Sequence, residues 1–290
     1  MNKVLGIIGG DLRIVNLLKL YAEQSYTLYT YGLEKAEVYN EHIIKCSSIK
    51  EVVDNCKTVV GPIPFSNDDK TILSPFSNNP IYIEDIAKVL NNNNVFIAGK
   101  LNIAIKDMFS RINVTFIDIL EREELTVLNA VATVEGSIEV AMKNTVITLH
   151  ESNCLVLGFG RIGKILSKSL DGLGANVYCE ARKNSDISWI RAYGYNPIKL
   201  DELDVNLNKF DIIFNTIPYM ILDETRLKLL KEDCLIVDLS SKPGGVEFEK
   251  AKQLNVNVIW ALAIPGKVAP LTASKYIKDT LDNIKYELQI

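Results

Sequence analysis

Short apolar runs rich in Val, Ile and aromatic residues alternate along the chain with stretches of helical period. In the first half "VLGIIG", "TLYTYG", "TVVGPI", "NVFIAG" and "VTFID" read as strands, and "LRIVNLLKLYAEQ", "IKEVVDNC", "IEDIAKVLN" and "NIAIKDMFSR" as the helices between them. Such alternation predicts an α/β fold of parallel strands covered by helices on both faces. From Glu121 to about Leu149 the apolar spacing predicts one long connecting helix. Six further strand candidates follow, "CLVLG", "NVYCE", "NPIKL", "DIIFNTI", "CLIVDLS" and "VNVIWAL", and an amphipathic helix over 272–290 closes the chain. The expected architecture is two Rossmann-like, doubly wound parallel-sheet domains joined by a long helix. The first takes residues 1–128 with the C-terminal helix 272–290 packing back on it, and the second takes residues 129–271, including the connecting helix.

The length, 290 residues, suits two such domains at ~100–200 residues each. Without a continuous apolar run of ~18 residues or a basic leader, the chain reads as cytoplasmic with no membrane segment. Its five cysteines contain no C-x-x-C pair and only two histidines accompany them, so neither disulfides nor a metal site is expected. The net charge of −4 argues against a nucleic-acid surface, which needs a basic stripe. Anionic ligands must then be caught by a few local groups.

Two glycine turns compete to hold a dinucleotide. "CLVLGFGRIGK" satisfies the fingerprint: Gly158 makes the tight turn, Gly160 leaves room for pyrophosphate, and Gly163 allows close helix–strand packing. Arg161 and Ile162 then open a helix whose free N–H groups would face the phosphates. The opening "IGGDLR" fails the same test, because Asp11 and Ile14 stand where the later glycines belong, and Asp11 is placed to cap a helix and repel phosphate. The second nucleotide strand ends "VYCEARK", ~20 residues past the glycines, where an acid selects NAD and an arginine selects NADP. Glu180 favours NAD; Arg182 and Lys183 favour NADP, which is the preferred reading.

No late histidine exists to act as base, since His42 and His150 lie in the opening domain and at the tail of the connector. Polar candidates lie instead at strand ends of the second half. "NTIP" (Asn215, Thr216, Ile217, Pro218) is assigned to the cofactor, and "SSKPGG" contributes Ser240 and Ser241 for substrate and Lys242 for catalysis. Lys267 in "IPGKVAP" is placed similarly. In the connector, Gly136 inside a helix suggests close approach by a cofactor, so Thr133, Glu135 and Ser137 are expected to line an interdomain cleft, with Glu135 as proton acceptor and Thr133 beside it. Helix–helix packing explains the glycine equally well. In the opening turn Arg13 is the candidate to grip a substrate carboxylate with two parallel hydrogen bonds.

Taken in order, "IGGDLR", "VATVEGSI", "LGFGRIGK" with "GANVYCEAR", "NTIPYMIL", "DLSSKPGG" and "IPGKVAPLTA" resemble the family of dipicolinate synthase A subunits of spore-forming bacteria over nearly the whole chain. The resemblance implies a partner, the flavoprotein-like B subunit of dipicolinate synthase, and conversion of dihydrodipicolinate or 4-hydroxy-tetrahydrodipicolinate to pyridine-2,6-dicarboxylate in the mother-cell cytoplasm during sporulation. It implies a small dicarboxylate substrate, and a homo-oligomer is expected as well. Two other readings stay open: an NADP-binding scaffold without its own redox chemistry, and an alanine-dehydrogenase-like amino-acid oxidoreductase.

Overall fold

The computed structural model describes residues 3–290. The chain divides into two compact units, one running to Leu128 and completed by Ala269–Ile290, the other Asn129–Val268. The first is built on β1 (Val4–Ile8), α1 (Leu12–Ala22), β2 (Thr27–Tyr31), β3 (Ile43–Lys45), α2 (Ile49–Asn55), β4 (Thr58–Val60), α3 (Ile83–Val89), β5 (Val95–Ala98), α4 (Ile103–Arg111) and β6 (Thr115–Asp118). These strands form one parallel sheet in the order β3-β2-β1-β4-β5-β6. The order reverses direction between β1 and β4, which opens a crevice at the carboxyl ends of the strands. Helix starts follow local chemistry: Asp11, Ser48 and Asn102 each accept a hydrogen bond from a first-turn N–H.

A helix, α5 (Glu123–Asn144), leads into the second unit. It stops short of the expected Leu149, because the Asn144 side chain turns back to the Val140 carbonyl and the β-branched Thr145–Thr148 stretch that follows is a poor helix former. Among the described residues it is the one helix long and apolar enough to cross a membrane, yet its apolar positions serve the protein's own cores, Leu125 in the first unit and Val134 and Ala141 in the second.

The second unit continues with β7 (Asn153–Leu157), α6 (Arg161–Gly172), β8 (Asn176–Glu180), α7 (Asn184–Ala192), β9 (Asn196–Ile198), β10 (Ile212–Asn215), α8 (Glu224–Leu227), β11 (Leu235–Asp238), α9 (Phe248–Gln253), β12 (Asn257–Trp260) and α10 (Ile264–Val268). Its sheet, also parallel, is ordered β12-β11-β10-β7-β8-β9. Read from the other edge, this is the order of the first sheet. Strands β10 and β11 are buried along their whole length, as near-continuous apolar runs covered on both faces should be. Most of "IPGKVAP", which carries the strand-end candidate Lys267, forms the short helix α10.

The terminal helix α11 (Pro270–Leu288) returns to the first unit, with Ile277, Leu281 and Ile284 buried in the same core as Ile14, Leu17 and Leu18 of α1. At ~1.5–3 kcal/mol per buried aliphatic side chain, this face holds the helix firmly. Tyr21 donates to Asp282 at 2.9 Å and Ser274 to the Arg13 carbonyl at 2.6 Å. The strand that sequence reasoning missed is β3, whose three residues are too few to show a period and whose Ile44 is exposed at the sheet edge.

Candidate functional site

In the second unit the chain leaves β7 at Leu157 and enters α6 through Gly158, Phe159 and Gly160. The three glycines are required for different reasons. Gly158 has φ +91°, in the left-handed region, and a Cβ there would lie 2.6 Å from Thr216 Oγ1. A Cβ on Gly163 would stand 2.1 Å from the Gly158 carbonyl, so that glycine lets helix and loop touch. Gly160 is different: its φ is −81°, open to any residue, and none of the described residues lies within 4 Å of where a Cβ would be. The protein itself has no use for a glycine at 160. As N-cap of α6, it also supplies no side chain to the helix, so the first-turn N–H groups meet no capping oxygen from it. A cradle that only a ligand would fill, at an uncapped helix start, fits a pyrophosphate.

Beside this loop, the last residue of β8 is Glu180, in register with Leu157. Its side chain is 1% exposed and Oε1 has no hydrogen-bond partner among the described residues. Burial pushes its pKa upward, against the smaller opposing effects of the Gly158 N–H and of the Arg182 and Arg226 charges. An orphaned acceptor at the end of the second nucleotide strand fits a ribose hydroxyl. Arg182 and Lys183 are exposed, and Arg182 lines a groove next to this strand end.

The turns after β10 and β11 are pinned to each other. Asn215, wholly buried, donates to Asp238 Oδ1 at 2.9 Å and to the Ile217 carbonyl at 3.0 Å, and accepts from the Ile217 N–H. Asp238 accepts the N–H groups of Ser240 and Gly245, each at 2.9 Å. Thr216 donates to the Leu157 carbonyl at 2.8 Å. The side chains of Asn215 and Thr216, assigned to the cofactor from sequence, are thus engaged in shaping the loop, Ile217 packs beside Gly158, and Pro218 is exposed. Ser240 is buried and its Oγ has no hydrogen-bond partner among the described residues, whereas Ser241 and Lys242 are exposed at the same strand end. Arg161 is exposed and Ile162 half-buried in the first turn of α6.

The connector corrects one expectation. A Cβ on Gly136 would meet Ile264 at 2.2 Å and Val268 at 2.9 Å, so this glycine admits α10 against α5 and needs no cofactor to explain it. Ser137 is fully buried and bonded to the Val134 carbonyl, and Thr133 is bonded to that of Asn129. Glu135 alone of the three is exposed. All five cysteines are free and buried, and burial raises the pKa of each thiol, which suits small apolar core residues. His150 lies against Gly174 at the amino end of the second sheet, opposite the glycine loop.

In the first unit the opening turn is closed. Gly9 donates to the Tyr31 carbonyl and Gly10 to that of Leu73, both at 2.8 Å. Asp11 caps α1 through the Arg13 N–H at 3.0 Å and also holds the Arg13 guanidinium, with Nη2 at 2.7 Å. Nε of Arg13 bonds both Asp11 oxygens at 3.1 Å, and Nη2 reaches the Ile63 carbonyl as well. The pair of parallel hydrogen bonds expected for a substrate carboxylate is therefore made to Asp11.

Comparison with known proteins agrees with this division. Residues 4–120 match the N-terminal domain of the dipicolinate synthase A subunit, and residues 122–244 the NAD-binding domain of D-isomer specific 2-hydroxyacid dehydrogenases. The dipicolinate synthase A subunit of Bacillus subtilis is 29% identical over 286 residues, 98% of this chain and 96% of the relative. The crystal structure of that B. subtilis protein superposes with TM-score 0.91 at 29% identity, covering 100% of this chain and 97% of the other. That of the A subunit from Bacillus halodurans gives 0.90 at 27%, covering 98% of each. L-Alanine dehydrogenase, at TM-score 0.62 and 13% identity over 98% of this chain and 90% of its own, shares the fold alone. The chain is a homologue of the dipicolinate synthase A subunit, and its second unit is a nicotinamide-dinucleotide-binding domain of the dehydrogenase type.

Proposed function

We propose that the chain is the A subunit of a two-component dipicolinate synthase that works in the mother-cell cytoplasm. With the flavoprotein-like B subunit it converts dihydrodipicolinate, or 4-hydroxy-tetrahydrodipicolinate after loss of water, to pyridine-2,6-dicarboxylate. The observation that carries this reading is Gly160, a glycine the fold does not require, at the uncapped start of α6 in a homologue of the synthase. When bound there, NADP supplies the two-electron acceptor that aromatisation of a dihydropyridine ring requires.

The chain's own residues position and deprotonate. First-turn N–H groups of α6, from Arg161 to Gly163, hold the pyrophosphate. Arg182, with Lys183 beside it, favours NADP. Substrate carboxylates fall to Ser240, whose Oγ is buried and unpaired, to exposed Ser241, and to Arg13 through the one guanidinium nitrogen not bonded to Asp11 or Ile63. Lys242 offers an exposed cation at the same strand end. Exposed Glu135, with Thr133 on the same helix, takes the ring proton as general base.

The test is to incubate the two purified proteins separately, and then together, with freshly generated substrate and NADP, following pyridine absorbance and NADPH. The expected result is nucleotide binding by this chain alone and product only with the partner. Full turnover by this chain, with the B subunit shown by mass spectrometry to be missing, would overturn the two-component reading.

A further inference from the structure

The outer face of the second unit carries aromatic rings that its core does not use. Helix α7 turns Ile187 and Ile190 inward, which leaves Trp189 and the capping Tyr193 outside, 53% and 52% exposed. Their rings stack, with centroids 5.5 Å apart and planes 30° from parallel. Tyr193 also meets Phe159 of the glycine loop at 6.4 Å and Tyr195 at 6.0 Å. Alongside runs α6, whose Lys164 lies over the Phe159 ring at 5.6 Å. Arg161, Lys164 and Lys168 of this helix are exposed and follow one another at three- and four-residue spacing, so they share one face. Asp171, at its end, is the helix's one acid, and among the described residues no acid pairs with Lys164 or Lys168. In a chain of net charge −4, this face is locally cationic.

We infer that this face of α6 and α7 docks the second polypeptide of the synthase, through an acidic surface on that partner with an apolar recess for the Trp189 ring. The inference rests on the two-component reading above and deepens it by giving the partner a place on this chain. Exposed Trp and Tyr side chains clustered on a surface are the residues that anchor the centres of protein interfaces. The cationic stripe beside them selects the occupant. A second copy docking face to face would set Arg161, Lys164 and Lys168 near their own equivalents, which repel, whereas an acidic partner neutralises the stripe and is steered in by it. Covering Tyr193 also places the partner one ring contact from the cofactor loop, since Phe159 stands between Gly158 and Gly160.

Calorimetric titration of the full chain with purified B subunit, at low and at high salt, tests this. The wild-type chain is expected to bind, more weakly as salt rises, because exposed charges are screened. Trp189→Ala should weaken the complex by about thirty-fold or more, the effect of losing a central aromatic anchor. Lys164→Glu combined with Lys168→Glu should weaken it by about ten-fold at low salt and remove most of the salt dependence. These side chains are exposed and lie outside the cofactor site, so melting temperature and NADP affinity should stay at wild-type values in both variants, which separates lost docking from lost folding. A B subunit that binds the wild type and both variants equally overturns this inference alone. So does sedimentation of the chain by itself if it shows a dimer that Trp189→Ala dissociates, since the face then belongs to a second copy. Failure of the B subunit to bind a folded wild-type chain overturns the two-component reading and this inference with it.

Discussion

The two sheets share one strand order, and each sends its first strand through a glycine turn into a helix, yet the turns have opposite fates. After β1 the turn is filled by the protein. The long segment between β4 and α3 lays Leu73 on the Gly10 N–H and packs Ile72 and Ser74 against Gly9, while Asp11 takes the helix start and ties down Arg13. After β7 the corresponding connection, from β10 to α8, is short, and none of the described residues comes within 4 Å of the Cβ position of Gly160. The strand-helix grammar therefore creates a crevice in both units, and loop length together with one side chain decides whether a ligand or the chain itself occupies it. An acid caps the helix start in one unit; glycine at the same place leaves it without a side-chain cap in the other.

Exchanging side chains at the two turns should break the comparison most completely. Gly160→Val adds bulk only where a cofactor would lie, so it should weaken NADP binding by more than about a hundred-fold while circular dichroism and melting temperature stay at wild-type values. Gly10→Ala should do the reverse. Its φ is +111° and a Cβ would stand 2.4 Å from the Ile14 side chain, so about 1–3 kcal/mol of stability should be lost with no change in NADP affinity. A folded Gly160→Val protein that binds NADP normally would remove the site from the second turn.

This contrast was half visible in the sequence. Gly158, Gly160 and Gly163 stand at fixed local offsets, and Asp11 announces an N-cap through position alone, so short-range chemistry identified both turns. What remained hidden depends on residues far apart in the chain. Leu73 on Gly10, Ile264 and Val268 against Gly136, and Tyr193 beside Phe159 meet only once the sheets assemble. Gly136 was ambiguous for the same reason: a helical glycine signals close approach without saying of what. The side chains of Asn215 and Thr216 suited a cofactor by position, but the need to satisfy buried polar groups at the strand ends claims them for the loop.

A smaller effect probes the filled turn. Arg13→Lys keeps the charge beside Asp11 but gives up the paired geometry and the contact with Ile63, so thermal unfolding should show a loss of about 0.5–1.5 kcal/mol, the worth of a typical hydrogen bond. NADP titration should be unaffected. If substrate use in the assembled enzyme falls more steeply than stability does, the remaining guanidinium nitrogen meets substrate; if both are unchanged, Arg13 has neither role.

The smallest effect distinguishes the two acids beside the turns by how each is satisfied. Asp11 is partly open to solvent and paired with Arg13; Glu180 is buried with one oxygen unpaired. Burial raises the Glu180 pKa above its ordinary value of about 4.3. Below that value the carboxyl is protonated in both folded and unfolded chains, and the folded protein has its full stability. As pH rises, the unfolded chain ionises freely while the buried group resists, so stability declines until the folded pKa has been passed. Glu180→Gln removes the titration and should flatten this decline, leaving the variant slightly more stable than wild type at neutral pH. Melting curves of both proteins from about pH 4 to 8, without nucleotide, read the difference directly, and parallel curves would show that the Glu180 pKa is not raised. Saturating NADP should narrow the gap at neutral pH, because a hydroxyl donor on Oε1 favours the ionised acid of the wild type more than the amide that replaces it.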